Sequence, residues 1–295
     1  FSGNSPDMPA RPPIAIPLST GQCASLACLL ESAAPKPGNV QPGVDFEDTT
    51  YVDFAVSAVA IAPAMDRARD AGVGRTVREA VQATRSLVRT NTNLGTILLL
   101  APLAAVPRSV PLQSGVAQVL SGLQSADSAD VYRAIRLAQP GGLGHVDTLD
   151  VAEAAPPDLL LAMRAASDRD LVALQYVTGF ATVLADVLPW LVAGPNRGWS
   201  LNDTIVHTHL QLLSRLGDSL IARKCGPAMS QQAAERASRV LAAGAPGTDA
   251  YAQQLAALDG WLRSDHHRRN PGTTADLIAA GLFAALRDGL LQPPF

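Results

Sequence analysis

Residues 97–106 have the sequence ILLLAPLAAV, which is the longest apolar run in the chain. Ten residues are too few to cross a bilayer, because a membrane-spanning helix needs about 20. The leucine and alanine content of the run favours a helix over a strand. The run therefore predicts a helix over residues 94–105 in a protein whose core is helical.

A period of 3.6 residues recurs along most of the chain and predicts roughly a dozen helices. No segment shows the alternation of apolar and polar residues that a half-buried strand requires. We therefore expect one all-α domain over residues 19–295, preceded by a proline-rich mobile leader over residues 1–18. The predicted helices cover residues 22–34, 51–65, 76–88, 94–105, 112–123, 128–138, 157–192 with one break near 167–168, 200–216, 231–242, 248–263 and 274–290.

The composition and net charge exclude several classes of protein. Apolar residues make up 47% of the 295 residues, which is enough for a sizeable core, whereas aromatic residues make up only 4%. The net charge of −3 argues against non-specific nucleic-acid binding, which needs a basic surface. Three cysteines cannot form a disulfide framework, and no signal-peptide pattern is present. We expect a cytoplasmic protein with no membrane segment and no nucleic-acid partner.

Lysine is rare in this chain. Only two of the 23 basic residues are lysines, Lys36 and Lys224. A compact ammonium group is not interchangeable with a planar guanidinium group, so both positions are candidates for phosphate contacts. Chance survival of two lysines in an arginine-rich sequence is the alternative.

Polar residues gather at the breaks between the apolar helices. Each cluster has an ordinary explanation, because proline and glycine end helices while asparagine and threonine cap them. Taken together, however, helix N-termini offer backbone N–H groups to anions, and neighbouring lysine and arginine side chains add positive charge. The four clusters lie at residues 31–48, 91–95, 141–150, and 218–224 together with 270–276.

Carboxylates in the same clusters suit a divalent cation, because Mg²⁺ prefers oxygen ligands. The candidate metal ligands are Asp147, Asp150, Asp218 and Asp276. Groups for anions and groups for a metal together indicate a site for a nucleoside polyphosphate with Mg²⁺. Neither a Gly-x4-Gly-Lys-Ser/Thr loop nor a strand-borne GxGxxG occurs, which excludes P-loop and Rossmann sites.

Several motifs follow one another in a recognisable order. They are Glu31, Pro35-Lys36-Pro37-Gly38, Asp48, Asn91-Thr92 with Gly95, Asp218 with Arg223, and Asn270-Pro271-Gly272 followed by Ala275-Asp276-Leu277. This order resembles the triphosphoribosyl-dephospho-CoA synthase family over nearly the whole chain after residue 20. Two positions depart from the family pattern: Phe46 stands where a typical member has histidine, and Leu94 where it has lysine.

The resemblance implies an all-α enzyme that transfers the triphosphoribosyl part of ATP to the 2′-hydroxyl of 3′-dephospho-CoA and releases adenine. With residue chemistry, it implies Glu31 or Asp48 as the base, and Asp218 and Asp276 at Mg²⁺. The residues expected to contact phosphate or ribose are Lys36, Asn39, Asn91, Asn93, Gly95, Arg223, Lys224 and Asn270.

Two other functions remain open. Residues 141–144 with Asp147 and Asp150, and the pairs Arg169-Asp170 and Gln175-Tyr176, are similar to a divergent branch found in archaea and methylotrophic bacteria. An enzyme of that branch would use another nucleotide or acceptor in the synthesis of one-carbon carriers of the tetrahydromethanopterin or methanofuran type. The other alternative is a helical protein that binds a nucleotide without catalysis. Alanine-rich helices could also pack into a homodimer.

Overall fold

The computed structural model describes residues 17–141 and 148–295, and the regular secondary structure in these ranges is helical. The α-helices are α1 (Thr20–Ala33), α2 (Tyr51–Ala60), α3 (Ala62–Asp66), α4 (Ala68–Ala71), α5 (Val73–Leu87), α6 (Leu94–Ala105), α7 (Leu112–Ser121), α8 (Ser125–Ala138), α9 (Leu159–Ala166), α10 (Leu171–Thr178), α11 (Leu188–Asn196), α12 (Leu201–Leu216), α13 (Ser219–Cys225), α14 (Pro227–Ala242), α15 (Asp249–Arg263) and α16 (Gly272–Arg287), with a π-helix at Thr182–Val187. The only β feature in the described ranges is an isolated bridge between Gln41 and Val44. The all-α prediction is confirmed. The proline-rich leader was predicted over residues 1–18, of which residues 1–16 lie outside the described ranges.

Two apolar helices form the centre of the core. Every residue of α6 except Gly95 is buried, and α16 is buried along most of its length. The two helices pack against each other and against α1. Burial on all sides follows from their leucine- and alanine-rich sequences, because a helix without a polar face must be surrounded by protein.

A proline inside α6 leaves one backbone carbonyl of the helix without its usual N–H donor. A side chain from another helix donates to that carbonyl instead. Pro102 has no N–H to donate to the carbonyl oxygen of Leu98, four residues before it. The hydroxyl of Tyr176 in α10 donates to that oxygen at 2.7 Å. The polar atom is therefore satisfied within the apolar core, and α6 remains continuous through the proline.

The helix predicted over residues 157–192 is more interrupted than the sequence pattern indicated. The expected break near residues 167–168 is present between α9 and α10. A second break follows at Gly179 and Phe180, which both have positive φ angles, of 63° and 64°. The chain bends by 92° there before it continues through the π-helix into α11. The helix predicted over 51–65 likewise ends at Ile61, just before Pro63, and gives α2 and α3.

Helix α13 was missed by the sequence analysis because it has only seven residues. Its N-cap is Asp218, whose carboxylate accepts hydrogen bonds from the backbone of Leu220 and Ile221. The helix carries Arg223 and Lys224 in its last turn. A short capped helix, rather than an open loop, therefore positions the basic pair of the predicted site.

A smaller apolar cluster lies beside the central core, formed by α12, α14 and α15. Within the described ranges no single helix is long and apolar enough to cross a membrane, although the bent pair Leu171–Thr178 with Thr182–Asn196 would pass on length and composition alone.

Candidate active site

A cavity of about 550 Å³ opens where the loops before α2, α6 and α16 meet α9, α10 and α13. Most of the predicted site residues lie on its wall: Glu31, Asn39, Asp48, Asn91, Asn93, Gly95, Asp150, Arg223, Lys224, Asn270 and Asp276. Lys36 and Asp218 do not line it. Asp147 lies outside the described residues. Segments far apart in the sequence are thus brought to one cavity, as the motif clusters indicated.

Asp276 is held deep in the wall by the start of α6. The hydroxyl of Thr96 donates to Asp276 Oδ1 at 2.6 Å. A Cβ on Gly95 would lie 2.0 Å from Asp276 Oδ2, so only glycine leaves room for this carboxyl group. Burial raises the pKa of Asp276 to about 8, with smaller contributions in the same direction from nearby carboxylates, Glu31 first, against the opposing hydrogen bond from Thr96. Asp276 therefore carries a proton at neutral pH.

Glu31 shares this wall and forms an ion pair with a buried lysine. Its Oε1 lies 2.9 Å from Lys36 Nζ, and the Lys36 side chain is fully buried. The ammonium group also donates to the backbone carbonyls of Glu31 and Ala34. All three of its protons thus face oxygens of the protein, so Lys36 orients Glu31 rather than reaching into the cavity. Its predicted contact with phosphate has no counterpart in this arrangement.

Asp218 is fully occupied by structural hydrogen bonds. Its Oδ1 accepts from the backbone N–H groups of Leu220 at 2.8 Å and Ile221 at 3.0 Å. Its Oδ2 accepts from the backbone N–H of Thr274 at 2.7 Å and from the Thr274 hydroxyl at 2.8 Å. Burial raises the pKa of Asp218, and these hydrogen bonds oppose that rise. The carboxylate joins the starts of α13 and α16 and has no lone pair left for a metal ion.

The three predicted metal ligands that the structure describes, Asp150, Asp218 and Asp276, belong to no cluster of metal-binding side chains among the described residues. Among the residues that the structure describes, no group of three or more His, Cys, Asp or Glu side chains could hold a metal ion. Asp150 lies on the cavity wall, but its Oδ1 accepts a hydrogen bond from the backbone N–H of Ala152 at 2.8 Å. The sequence had suggested that these carboxylates form one metal site. In the structure, Asp218 caps a helix and Asp150 accepts a hydrogen bond within its own loop.

Cationic side chains line another part of the wall. Arg223 Nη1 donates to Asp170 Oδ2 at 2.5 Å, while its buried Nε has no partner among the described residues. Lys224 is half-buried, and this burial lowers its pKa, although nearby Asp48 opposes the change. Arg169, at the start of α10, lines the cavity as well. This basic group suits a polyphosphate, because charge-assisted contacts to phosphate are strong.

The four predicted asparagines divide into two pairs. Asn91 Oδ1 accepts from the backbone of Leu94 at 3.1 Å, and Asn93 Nδ2 donates to Thr84 Oγ1 at 3.3 Å, so both shape the loop before α6. By contrast, the buried Oδ1 atoms of Asn39 and Asn270 have no hydrogen-bond partner among the described residues. Both side chains lie on the cavity wall. Unsatisfied buried acceptors on a cavity wall suit the hydroxyl or amino groups of a ligand.

His267 lies at the cavity but was not among the predicted site residues. Its ring lines the cavity and stacks on Phe46 with centroids 4.6 Å apart. Its Nε2 lies 3.7 Å from Asp48 Oδ1. Only the position of His267 three residues before the Asn270-Pro271-Gly272 motif could have indicated this. The ring of Phe46, where the family pattern has histidine, thus supports a histidine from a distant loop.

Comparisons with known proteins agree with one another. A family model described as "CitG: ATP:dephospho-CoA triphosphoribosyl transferase" matches residues 17–294. A solved structure described as "putative triphosphoribosyl-dephospho-coA synthase from Archaeoglobus fulgidus" is similar, with a TM-score of 0.61 and 25% sequence identity, over 80% of this chain and 99% of that chain. No curated protein gives a significant match.

Proposed function

Because the chain belongs to the ATP:dephospho-CoA triphosphoribosyl transferase family, we propose that it transfers the triphosphoribosyl group of ATP to a ribose hydroxyl of 3′-dephospho-CoA and releases adenine. The observation that carries this proposal is the cavity itself. It combines Asp276, whose pKa is raised to about 8, and Glu31, which is ion-paired with Lys36, with a basic group formed by Arg169, Arg223 and Lys224.

The size and charge of the cavity support a nucleotide substrate. A volume of about 550 Å³ lies within the range of small-molecule sites. The basic group would bind the triphosphate through charge-assisted hydrogen bonds. The Oδ1 atoms of Asn39 and Asn270, which have no hydrogen-bond partner in the described part of the chain, would accept hydrogen bonds from ribose hydroxyls or from the amino group of adenine.

The two acidic residues suit the two charges that develop when adenine leaves. Breakage of the C1′–N9 bond leaves positive charge on the ribose, as in glycoside cleavage, and the Glu31 side chain, which is ion-paired with Lys36, would stabilise it. Adenine must gain a proton as it departs, and Asp276 has one to give at neutral pH. The acceptor hydroxyl must lose a proton, and we assign its uptake to the part of the cavity that Asp48 occupies.

Mg²⁺ fits this site as part of the substrate rather than as a resident cofactor. The described residues include no group of three or more side chains that could hold it. Mg²⁺ usually binds through substrate phosphates, with water and one or two carboxylates completing its coordination. We therefore propose the Mg²⁺ complex of ATP as the substrate.

The test is a mass-spectrometric assay of the purified protein with ATP, Mg²⁺ and 3′-dephospho-CoA. The expected products are a triphosphoribosyl adduct of dephospho-CoA and free adenine. A matched reaction with a reduced pterin as acceptor tests the alternative. An adduct with the pterin and none with dephospho-CoA would overturn the assignment of the acceptor.

A further inference from the structure

The side chain of His267 is fixed in place although it comes from a loop. Its ring is nearly parallel to that of Phe46, with an angle of 19° between the two planes. Only 24% of the His267 side chain is exposed, whereas the neighbouring His266 is 80% exposed and faces Glu47. Stacking and partial burial therefore hold the imidazole of His267 at the cavity wall.

The backbone at this point is unusual. His266 and His267 have φ angles of 43° and 50°, in the left-handed region that residues with a side chain rarely adopt. Two successive residues in this conformation are unfavourable unless the surrounding structure imposes them, and such outliers concentrate at functional sites. In this chain the conformation places the ring of His267 between Phe46 and Asp48.

The distance between His267 and Asp48 suits a role in which the imidazole accepts a proton from a ligand and the nearby carboxylate stabilises the resulting charge. At 3.7 Å, His267 Nε2 and Asp48 Oδ1 are too far apart for a hydrogen bond, so the nitrogen remains available to a ligand. The carboxylate is still close enough to stabilise a positive charge on the ring. Imidazole is also the side chain whose ordinary pKa lies nearest to neutral pH, which suits a general base.

We propose that His267 is the catalytic base for the acceptor hydroxyl and that Asp48 stabilises its protonated ring, an inference that rests on the proposed function. The O–H bond of the acceptor breaks, and its proton passes to Nε2 of His267. The hydroxyl oxygen forms a bond to C1′ of ATP while the C1′–N9 bond breaks, and adenine leaves with a proton from the cavity. The proton on His267 is lost to water, and the cavity acid regains one, before the next turnover.

The chain offers a matched pair of variants for the test. Glycine adopts positive φ angles without strain, so His267→Gly and His266→Gly both preserve the local backbone. We expect His267→Gly to lower kcat by at least about 100-fold, the usual effect of a general base, with KM for ATP changed less than about threefold. Added imidazole should occupy the space beside Phe46 and restore part of kcat. His266→Gly should retain wild-type activity.

Two outcomes overturn the role of His267: wild-type kcat in His267→Gly, or a loss confined to KM that imidazole does not restore. A footprint separates this failure from failure of the proposed function. Diethyl pyrocarbonate should modify His267 of the wild-type protein more slowly when ATP and dephospho-CoA are present, with His266 unaffected. Equal modification with and without substrates contradicts the inference, whereas a wild-type protein that releases no adenine contradicts the proposed function instead.

Discussion

Lys36 and Glu31 form an ion pair of 2.9 Å in which the lysine side chain has no contact with solvent. The pair joins α1 to the loop that follows it and leaves one face of Glu31 on the cavity wall. A buried pair of this kind contributes little net stability, but loss of one partner is costly because the other charge is left uncompensated. Lys224, by contrast, lies on the cavity wall, so mutation of each lysine should have a different effect.

Lys36→Met should destabilise the protein by about 3–5 kcal/mol, because Glu31 would lose its counter-ion. Lys224→Met is the matched control. It removes a half-buried lysine from the cavity wall, and we expect it to raise KM for ATP with a stability change within about 0.5 kcal/mol. Urea denaturation and steady-state kinetics measure the two effects. A Lys36→Met protein of wild-type stability with weakened ATP binding would show that Lys36 contacts phosphate instead.

Gly95→Ala should disable the site without unfolding the protein. The added Cβ would lie 2.0 Å from Asp276 Oδ2 and would displace the carboxyl group. Displacement of a reacting group by about 1 Å can cost 100-fold in rate, and we expect a loss of kcat of that order. Gly260→Ala is the control, because no atom beyond its own stretch of helix backbone lies within 4 Å of its Cβ position among the described residues. That helical substitution should stabilise by about 0.5–1 kcal/mol and leave kcat unchanged.

Asp276 should make stability depend on pH. Its pKa is about 8 in the folded protein, against an ordinary value of 3.8 for an aspartate. The folded state therefore holds a proton that the unfolded chain has lost, and stability falls as pH rises from about 4 through about 8, by at most about 1.4 kcal/mol per pH unit. Urea denaturation between pH 5 and 8.5 should show a shallower decline for Asp276→Asn than for the wild type. The exposed Asp70→Asn should decline as the wild type does, and equal slopes for all three proteins would contradict this account.

Tyr176→Phe should destabilise the protein by about 1–3 kcal/mol. The variant keeps the ring but leaves the carbonyl oxygen of Leu98 without the donor that replaces the missing N–H of Pro102. Thermal or urea denaturation measures the change, and adenine release per folded molecule should stay at the wild-type rate. The double variant Tyr176→Phe/Pro102→Ala should recover most of the loss, since alanine supplies the N–H that proline lacks. A destabilisation that persists in full would assign the effect to the packing of α10.

The sequence pattern predicted the position of a helix well where the residues at its ends determine where it begins and stops. Residues 94–105 were predicted as a helix and form α6 with the same bounds, because the apolar run begins after an asparagine cluster. Ser200 was expected to begin a helix, and its hydroxyl accepts from the backbone of Asp203 at 3.1 Å. The bend at Gly179 and Phe180 was not predicted, since the apolar pattern continues through it.

The candidate site was predicted as a set of residues but not as an arrangement. Turn and cap motifs in the sequence marked the loops between the helices. These loops meet at the cavity, because the helices that they connect end there. The sequence could not show that Lys36 turns inward to Glu31, or that Asp218 is used as an N-cap. Nor could it show the stack of Phe46 on His267, because that contact joins two loops more than two hundred residues apart in sequence.

The bond of ATP that the protein breaks distinguishes triphosphoribosyl transfer from hydrolysis or phosphoryl transfer. The wild-type protein is incubated with ATP, Mg²⁺ and 3′-dephospho-CoA, and adenine, ADP and the acceptor adduct are quantified together by mass spectrometry. Breakage of the C1′–N9 bond gives adenine and the triphosphoribosyl adduct in equal amounts, with no ADP, and this is the expected result. Formation of ADP, or no reaction from the folded protein, would contradict the account.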